Sequence, residues 1–294
     1  MLYVVKDKSE NRKEHMRVIK AETVVDAVRK MCIEANFNLN KDMENALING
    51  LEKEESPIGQ QILKDLLKNA EIAKNKRVPM CQDTGMVVVF VEIGEEVFVE
   101  GNLKEAINEG IRQGYKEGFL RKSIVSDPIL RENTKDNTPG VIHYDFVTGD
   151  GLKITVAPKG FGSENMGRLK LLKPSDGIEG IKEFIIETVE LAGPNPCPPI
   201  VIGVGIGGTM DEVTKIAKKA LLRPVNENSN LEHIAKLEAQ VLEAVNNLGI
   251  GPQGLGGRVT ALGVNIETYA THIAGLPVAV NINCHASRHL EVIL

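Results

Sequence analysis

Apolar positions along the chain change period several times, and each change marks an expected element. From Glu22 to Phe37 the set Val24, Val28, Met31, Cys32 and Ala35 recurs at helical spacing and predicts a helix that buries Cys32. Two more amphipathic helices follow. One spans about 41–54 with Met43, Ala46, Leu47 and Leu51, and the other about 57–74 with Ile58, Ile62, Leu63, Leu66 and Leu67 and Pro57 in its first turn. The unbroken apolar run Met86–Ile93 reads as a buried strand, Val97–Val99 as a return strand, and 103–119 as a helix. Val141–Phe146 and Leu152–Ala157, joined through Thr148-Gly149-Asp150-Gly151, predict a hairpin. Helices are expected over 177–191, 210–222 and 231–246, and strands at Ile200–Ile202, 258–268 and Val278–Ile282. The fold class this predicts is mixed α/β: a helical N-terminal third, about 1–78, packed on a sheet-containing remainder, about 79–294, as two interlocked lobes.

Between these elements lie segments with nothing to bury. Arg121–Gly140 is a long polar connection whose Asn, Asp and Thr density predicts a loop folded on its own side-chain to backbone bonds. Pro158–Asn165 is a second polar, glycine-bearing loop. Gly203–Gly208 matches G-x-G-x-x-G, but the helix after it runs into Arg223–Asn228, which lacks the second strand a dinucleotide fold requires. Tight turns or anion-binding backbone explain these glycines more simply.

Composition narrows the class. With 294 residues, 42% hydrophobic, the chain can bury a sizeable core. A net charge of −5 offers no basic excess for nucleic acid, so an anionic substrate has to be drawn by local Lys and Arg groups. No run approaches a membrane span and the segment Met1–Lys8 breaks into charge at once, which predicts a soluble, cytoplasmic protein. Four sparse cysteines in such a compartment are free thiols.

Three of those thiols stand singly at loops beside strand ends: Cys81 in Pro79–Gly85, Cys197 among the prolines of Pro194–Pro199, and Cys284 in Asn283–His289. They lie 116 and 87 residues apart, so no short zinc or disulfide motif exists. Cys81 taken alone can be an ordinary buried cysteine, whereas the prolines hold Cys197 on a stiff exposed turn; the three loops can together hold an iron-sulfur cluster with one open iron.

Cys81-Gln82-Asp83-Thr84-Gly85, the Asp127–Pro139 loop, Lys159–Asn165, Gly207-Gly208-Thr209 and Cys284–His289 resemble the iron-sulfur-dependent class I fumarate hydratases, from about Ala21 to the end of the chain. The likeness is to the alpha subunit of the two-subunit form or the N-terminal part of the single-chain form, with L-tartrate dehydratase alpha subunits sharing the pattern. The resemblance implies one fumarase alpha-type catalytic domain over 1–294 and a [4Fe-4S] cluster on Cys81, Cys197 and Cys284. It implies Asp83 and His272 as catalytic groups and Gln82, Arg121 and Gly162 as substrate contacts. Without the resemblance, His272 reads as a strand-end histidine satisfied by a backbone carbonyl. Only five residues follow His289, so the family's beta portion is expected as a separate subunit, in an α2β2 assembly. The expected reaction is reversible hydration of fumarate to (S)-malate. Tartrate dehydration, or a non-enzymatic redox or iron-sensing module, are the competing readings.

Overall fold

The computed structural model describes residues 16–294; the charged segment Met1–Lys8 lies outside the described residues. In chain order the elements are β1 (Arg17–Lys20), α1 (Ala21–Phe37), α2 (Lys41–Lys53), α3 (Pro57–Lys76), β2 (Met86–Gly94), β3 (Val97–Glu100), α4 (Leu103–Glu117), β4 (Val141–Val147), β5 (Leu152–Lys159) and α5 (Phe161–Glu164). They continue as β6 (Arg168–Leu172), α6 (Gly177–Ala192), β7 (Ile200–Gly207), α7 (Met210–Ala220), α8 (Glu232–Asn246), β8 (Ala261–Tyr269), β9 (Leu276–Asn283) and β10 (Leu290–Ile293). The fold is mixed α/β.

Two four-stranded sheets carry the cores. The first has the order β10-β5-β2-β4 and the second β6-β9-β7-β8. Helices α1 and α4 cover one face of the first, where Val28, Cys32, Ile107, Ile111 and Tyr115 meet Val87, Val89, Val91, Ile154 and Val156. On the second sheet α6 and α8 cover one face and α7 the other. The N-terminal helices divide between them: α1 lies on the first sheet, whereas α2 and α3 pack around Val259 and Leu262 beside the second.

Three strand expectations change. Val141–Val147 and Leu152–Lys159 are not a hairpin, because β2 lies between them, parallel to β4 and antiparallel to β5. The nearly all-buried run of β2 needs partners on both edges, which a hairpin of its neighbours would deny it. Val97–Glu100 returns not to β2 but to β1, in a parallel two-stranded sheet. The Gly203–Gly207 stretch is not a turn; β7 continues through it, buried at every position. Ile202, Val204 and Ile206 face α6 and α8, while the alternate residues face α7. There a Cβ on Gly203 or Gly205 would stand 2.3 Å from the Ala217 or Val213 carbonyl oxygen. The glycines let a helix lie directly on the strand. Strands β1, β6 and β10 were not anticipated, and the short helix α5 lies in the segment expected as a loop; the last residues of the chain pair antiparallel with β5.

The Arg121–Gly140 connection is folded on its own polar side chains, as expected. Asp127 Oδ1 accepts from Ile129 N (2.8 Å) and Leu130 N (2.7 Å), Asn133 Nδ2 donates to Lys122 O (3.0 Å), and Asn137 joins Ser123 N to Gly85 O. No helix among the described residues is long and apolar enough to cross a membrane.

Candidate functional site

The register of the second sheet fixes where two of the thiols lie. Val201 pairs with Asn283, so Cys197, just before β7, and Cys284, just after β9, share one end of that sheet. Cys81 precedes β2 of the first sheet and packs with Cys284 against Ala73, Met80 and Ala286. Cys32 stays on the buried face of α1, where desolvation pushes its thiol up, away from the reactive thiolate.

Each thiol loop is pinned by its own elements. Asn69 of α3 donates to Met80 O (2.8 Å), and Met80 N donates to Asn36 O at the end of α1 (3.0 Å). Asp83 Oδ1 accepts from Gly85 N (3.0 Å) and Oδ2 from Phe161 N (2.8 Å), which joins the Cys81 loop to α5. Gly85 sits at φ 82°, and a Cβ there would stand 2.7 Å from Lys159 N, so only glycine fits. Cys197 is exposed, at φ 56°, and its N donates to Pro194 O (3.0 Å).

The loops are then tied to one another by the residues that follow Cys284. Arg288 donates to Ala286 O (2.9 Å) and to Asp83 O (2.7 Å). His285 Nδ1 stands 3.1 Å from Cys197 O; a carbonyl only accepts, so Nδ1 carries the hydrogen. Burial lowers the pKa of His285. Gln253 N and Nε2 both reach Pro198 O at 2.8 Å.

The three thiols feel one another. Burial, then the charges of Cys284 and Cys81, raise the Cys197 pKa. Burial raises that of Cys284, with Arg288, the Ala286 N–H and Lys159 opposing and Cys81 reinforcing the rise. Among the described residues no three His, Cys, Asp or Glu side chains close to the spacing of a single ion. Three thiols on loops tied to one another are the donor type that iron-sulfur groups take, and the chemistry of the donor set is compatible with one.

Sequence reasoning had no motif with which to place the cations beneath this site. Lys159 is only 4% exposed; its Nζ donates to Ile282 O (2.7 Å) and Ser163 Oγ (3.0 Å) and lies 3.4 Å from Glu164. Burial pushes its pKa down to about 8, against the pull of Glu164 and Cys284. Burial opposes ionisation of Glu164, but Lys159, Lys218 and Asn281 outweigh it and its pKa falls. The Lys218 ammonium is 2.6 Å from this carboxylate and Asn281 Nδ2 3.0 Å. Lys159 and Glu164 belong to the Lys159–Asn165 segment noted in the sequence, and the signal absent there was their burial.

The substrate candidates are placed unequally. Gln82 and Gly162 are exposed beside the thiol loops, with Gly162 of α5 facing the Asn195 carbonyl of the Cys197 turn. Arg121 is tethered to the Cys81 loop by Thr84 Oγ1, which donates to Arg121 O (3.0 Å); its exposed guanidinium has no hydrogen bond or ion pair among the described residues. His272 stands elsewhere. It is exposed in the β8–β9 turn, its Nδ1 accepting from Ala274 N (3.2 Å). The register puts that turn at the opposite end of the second sheet from Cys197 and Cys284, at least six residues or roughly 20 Å away.

A cleft of about 650 Å³ between the first sheet and α7 lies away from the thiols. Its charges are matched across it, Lys215 with Asp145, Lys219 with Glu92 and Lys153 with Glu291, so it presents no obvious unmet demand for an anion.

The pattern of the fumarate hydratase (Fumerase) family matches residues 25–293. Over 272 residues the chain is 46% identical to a Methanocaldococcus jannaschii protein provisionally named L(+)-tartrate dehydratase subunit alpha, covering 90% of this chain and 95% of that one. Over the same length it is 33% identical to the L(+)-tartrate dehydratase subunit alpha of Escherichia coli K12, covering 89% and 90%.

Proposed function

Because the chain belongs to the fumarate hydratase family and is a hydro-lyase, we propose that it is the cluster-bearing subunit of a two-subunit enzyme that hydrates fumarate reversibly to (S)-malate. The observation that carries this reading is the convergence of Cys81, Cys197 and Cys284 on loops tied together by His285 and Arg288. These three thiolates would hold a [4Fe-4S] cluster. When bound, such a cluster supplies an open iron that acts as a Lewis acid toward substrate oxygen.

The chain's own groups do the rest. Arg121, unpaired and anchored at its backbone, clamps a substrate carboxylate. Gln82 bonds the same end, and Gly162 lets backbone approach without side-chain obstruction. Asp83 is held in place by Gly85 N and Phe161 N; as carboxylate it has lone pairs left to take the proton from the carbon next to the hydrated one in dehydration, and as the acid so formed it returns that proton in hydration. A part for His272 in this chemistry has to be played across an interface, since its own copy keeps it at the far end of the sheet. The exposure of Gln82, Arg121, Gly162 and Cys197 supports a separate beta subunit, in an α2β2 assembly, that closes the site and excludes water. The relatives' names, subunit alpha, favour the same division. Free thiols suit a cytoplasmic location.

The relatives' names also favour a second substrate, L(+)-tartrate. The test is to load the chain anaerobically with iron and sulfide, with and without its beta subunit, and to offer fumarate, malate and L(+)-tartrate in parallel. Turnover of fumarate by the pair alone is expected. Tartrate turnover with fumarate inert would replace the substrate, activity of the lone chain would remove the partner, and failure to load would remove the cluster.

A further inference from the structure

Arg288 is an anomaly in charge accounting. The residue is 4% exposed, and no carboxylate lies within ion-pair distance of it among the described residues. Its two bonded nitrogens reach carbonyl oxygens, Ala286 O and Asp83 O, and Nε has no partner at all. A guanidinium keeps its charge when buried, where an ammonium can shed a proton, so an isolated one is costly unless an anion compensates it. Lys159 does not resolve the imbalance, because Glu164, its acid partner, is shared with Lys218. With Glu164 divided between Lys159 and Lys218, no acid is left over for Arg288 among the described residues.

The two carbonyls are informative in themselves. One belongs to the Cys284 loop and the other to the Cys81 loop, so a single planar fork spans the backbones of two thiol loops from opposite sheets. We propose that Arg288 is the built-in counter-charge and positioning residue of the anionic group held by the three thiolates, fixing the Cys81 and Cys284 loops relative to each other while compensating their negative charge. This rests on the cluster reading above. In the unloaded protein the guanidinium is uncompensated; loading supplies the anion it lacks. Arg288 therefore contributes more to the loaded protein than to the unloaded one.

That asymmetry gives the test. Wild type, Arg288→Met and Arg288→Lys are melted with and without anaerobic loading, and iron release to a chelator is timed. Loading is expected to raise the wild-type melting midpoint by clearly more than that of Arg288→Met, and iron should leave Arg288→Met about tenfold faster or more, as loss of a charge-assisted contact implies. Arg288→Lys keeps the charge without the fork and should recover most of the loading shift. A mere structural tie would lower both forms equally, so an unchanged loading shift in Arg288→Met overturns the proposal. If Arg288→Met does not fold, Arg288→Lys decides: retention of iron near the wild-type rate supports the counter-charge, and release tenfold faster overturns it. A wild-type chain that takes up no iron refutes the cluster reading, whereas normal loading with an indifferent Arg288→Met refutes only the role of Arg288.

Discussion

The two sheets hold their neighbours by different forces. In the second, Ile202, Val204 and Ile206 of the fully buried β7 press against α6 and α8, and glycines let α7 lie on the other face. The first sheet meets the same α7 through charge: Lys215 reaches Asp145 of β4 at 2.6 Å and Lys219 reaches Glu92 of β2 at 3.3 Å, while Lys218 reaches Glu164 of α5 at 2.6 Å. Burial is energetically large and indifferent to direction, whereas partly exposed ion pairs add little stability but define which groups face each other. The thiols are split along the same line, Cys81 from the first sheet and Cys197 and Cys284 from the second. A site assembled across a polar seam depends on alignment more than on the strength of either core.

The largest expected effect breaks the site itself. Cys197→Ser should abolish iron loading although it removes one exposed thiol, while Cys32→Ser, deep in the first core, should load as wild type. Iron analysis of both decides, and full loading of Cys197→Ser would dismiss the ligand set. Next comes the contrast of forces: Ile202→Ala should cost about 2–5 kcal/mol in denaturant unfolding, and Lys219→Met no more than about 1 kcal/mol. Equal losses would erase the distinction between the sheets. Arg121→Leu should leave the melt unchanged yet weaken transition-state binding by about 1.5–3 kcal/mol, read as kcat/KM of the assembled enzyme. Wild-type kinetics would make its loop mere surface.

The smallest effect sharpens the polar side of the comparison. His143 of β4 stacks on Phe90, ring centroids 5.0 Å apart, and burial, then Lys218 and Lys215, lower its pKa below 6.5 against the pull of Asp145. The unfolded chain therefore binds more protons as pH falls through that range, so stability is lost on acidification. His143→Phe keeps the stack without the proton. Unfolding midpoints at about pH 7.5 and about pH 5.5 should differ more for wild type than for the variant.

Periodic elements were legible because burial writes its period into the chain: α1, α2 and α3 begin and end within about two residues of the ranges expected from their apolar stripes. The strands were less so. A run such as Met86–Ile93 announces a buried strand but not its neighbours, and β2 took both strands of the expected hairpin. The glycines of β7 looked like a turn because the helix that needs them absent of side chains lies on another stretch of sequence. The Leu290–Ile293 tail was too short to announce a strand.

What the amino-acid sequence determined alone was the set of local chemistries: that the long amphipathic helices form, that Cys32 is buried, that three thiols sit at polar strand ends, and that the Arg121–Gly140 loop folds on its own Asn, Asp and Thr side chains. These follow from interactions within a few residues, which periodicity and turn chemistry encode. The tertiary structure alone decided that Arg288 lies buried without an acid between two thiol loops, that Lys159 and Glu164 join the sheets beneath them, and that His272 stands at the opposite end. Burial and pairing of a charge depend on residues more than a hundred positions away along the chain, as Arg288 and Asp83 are, and no local pattern carries that information.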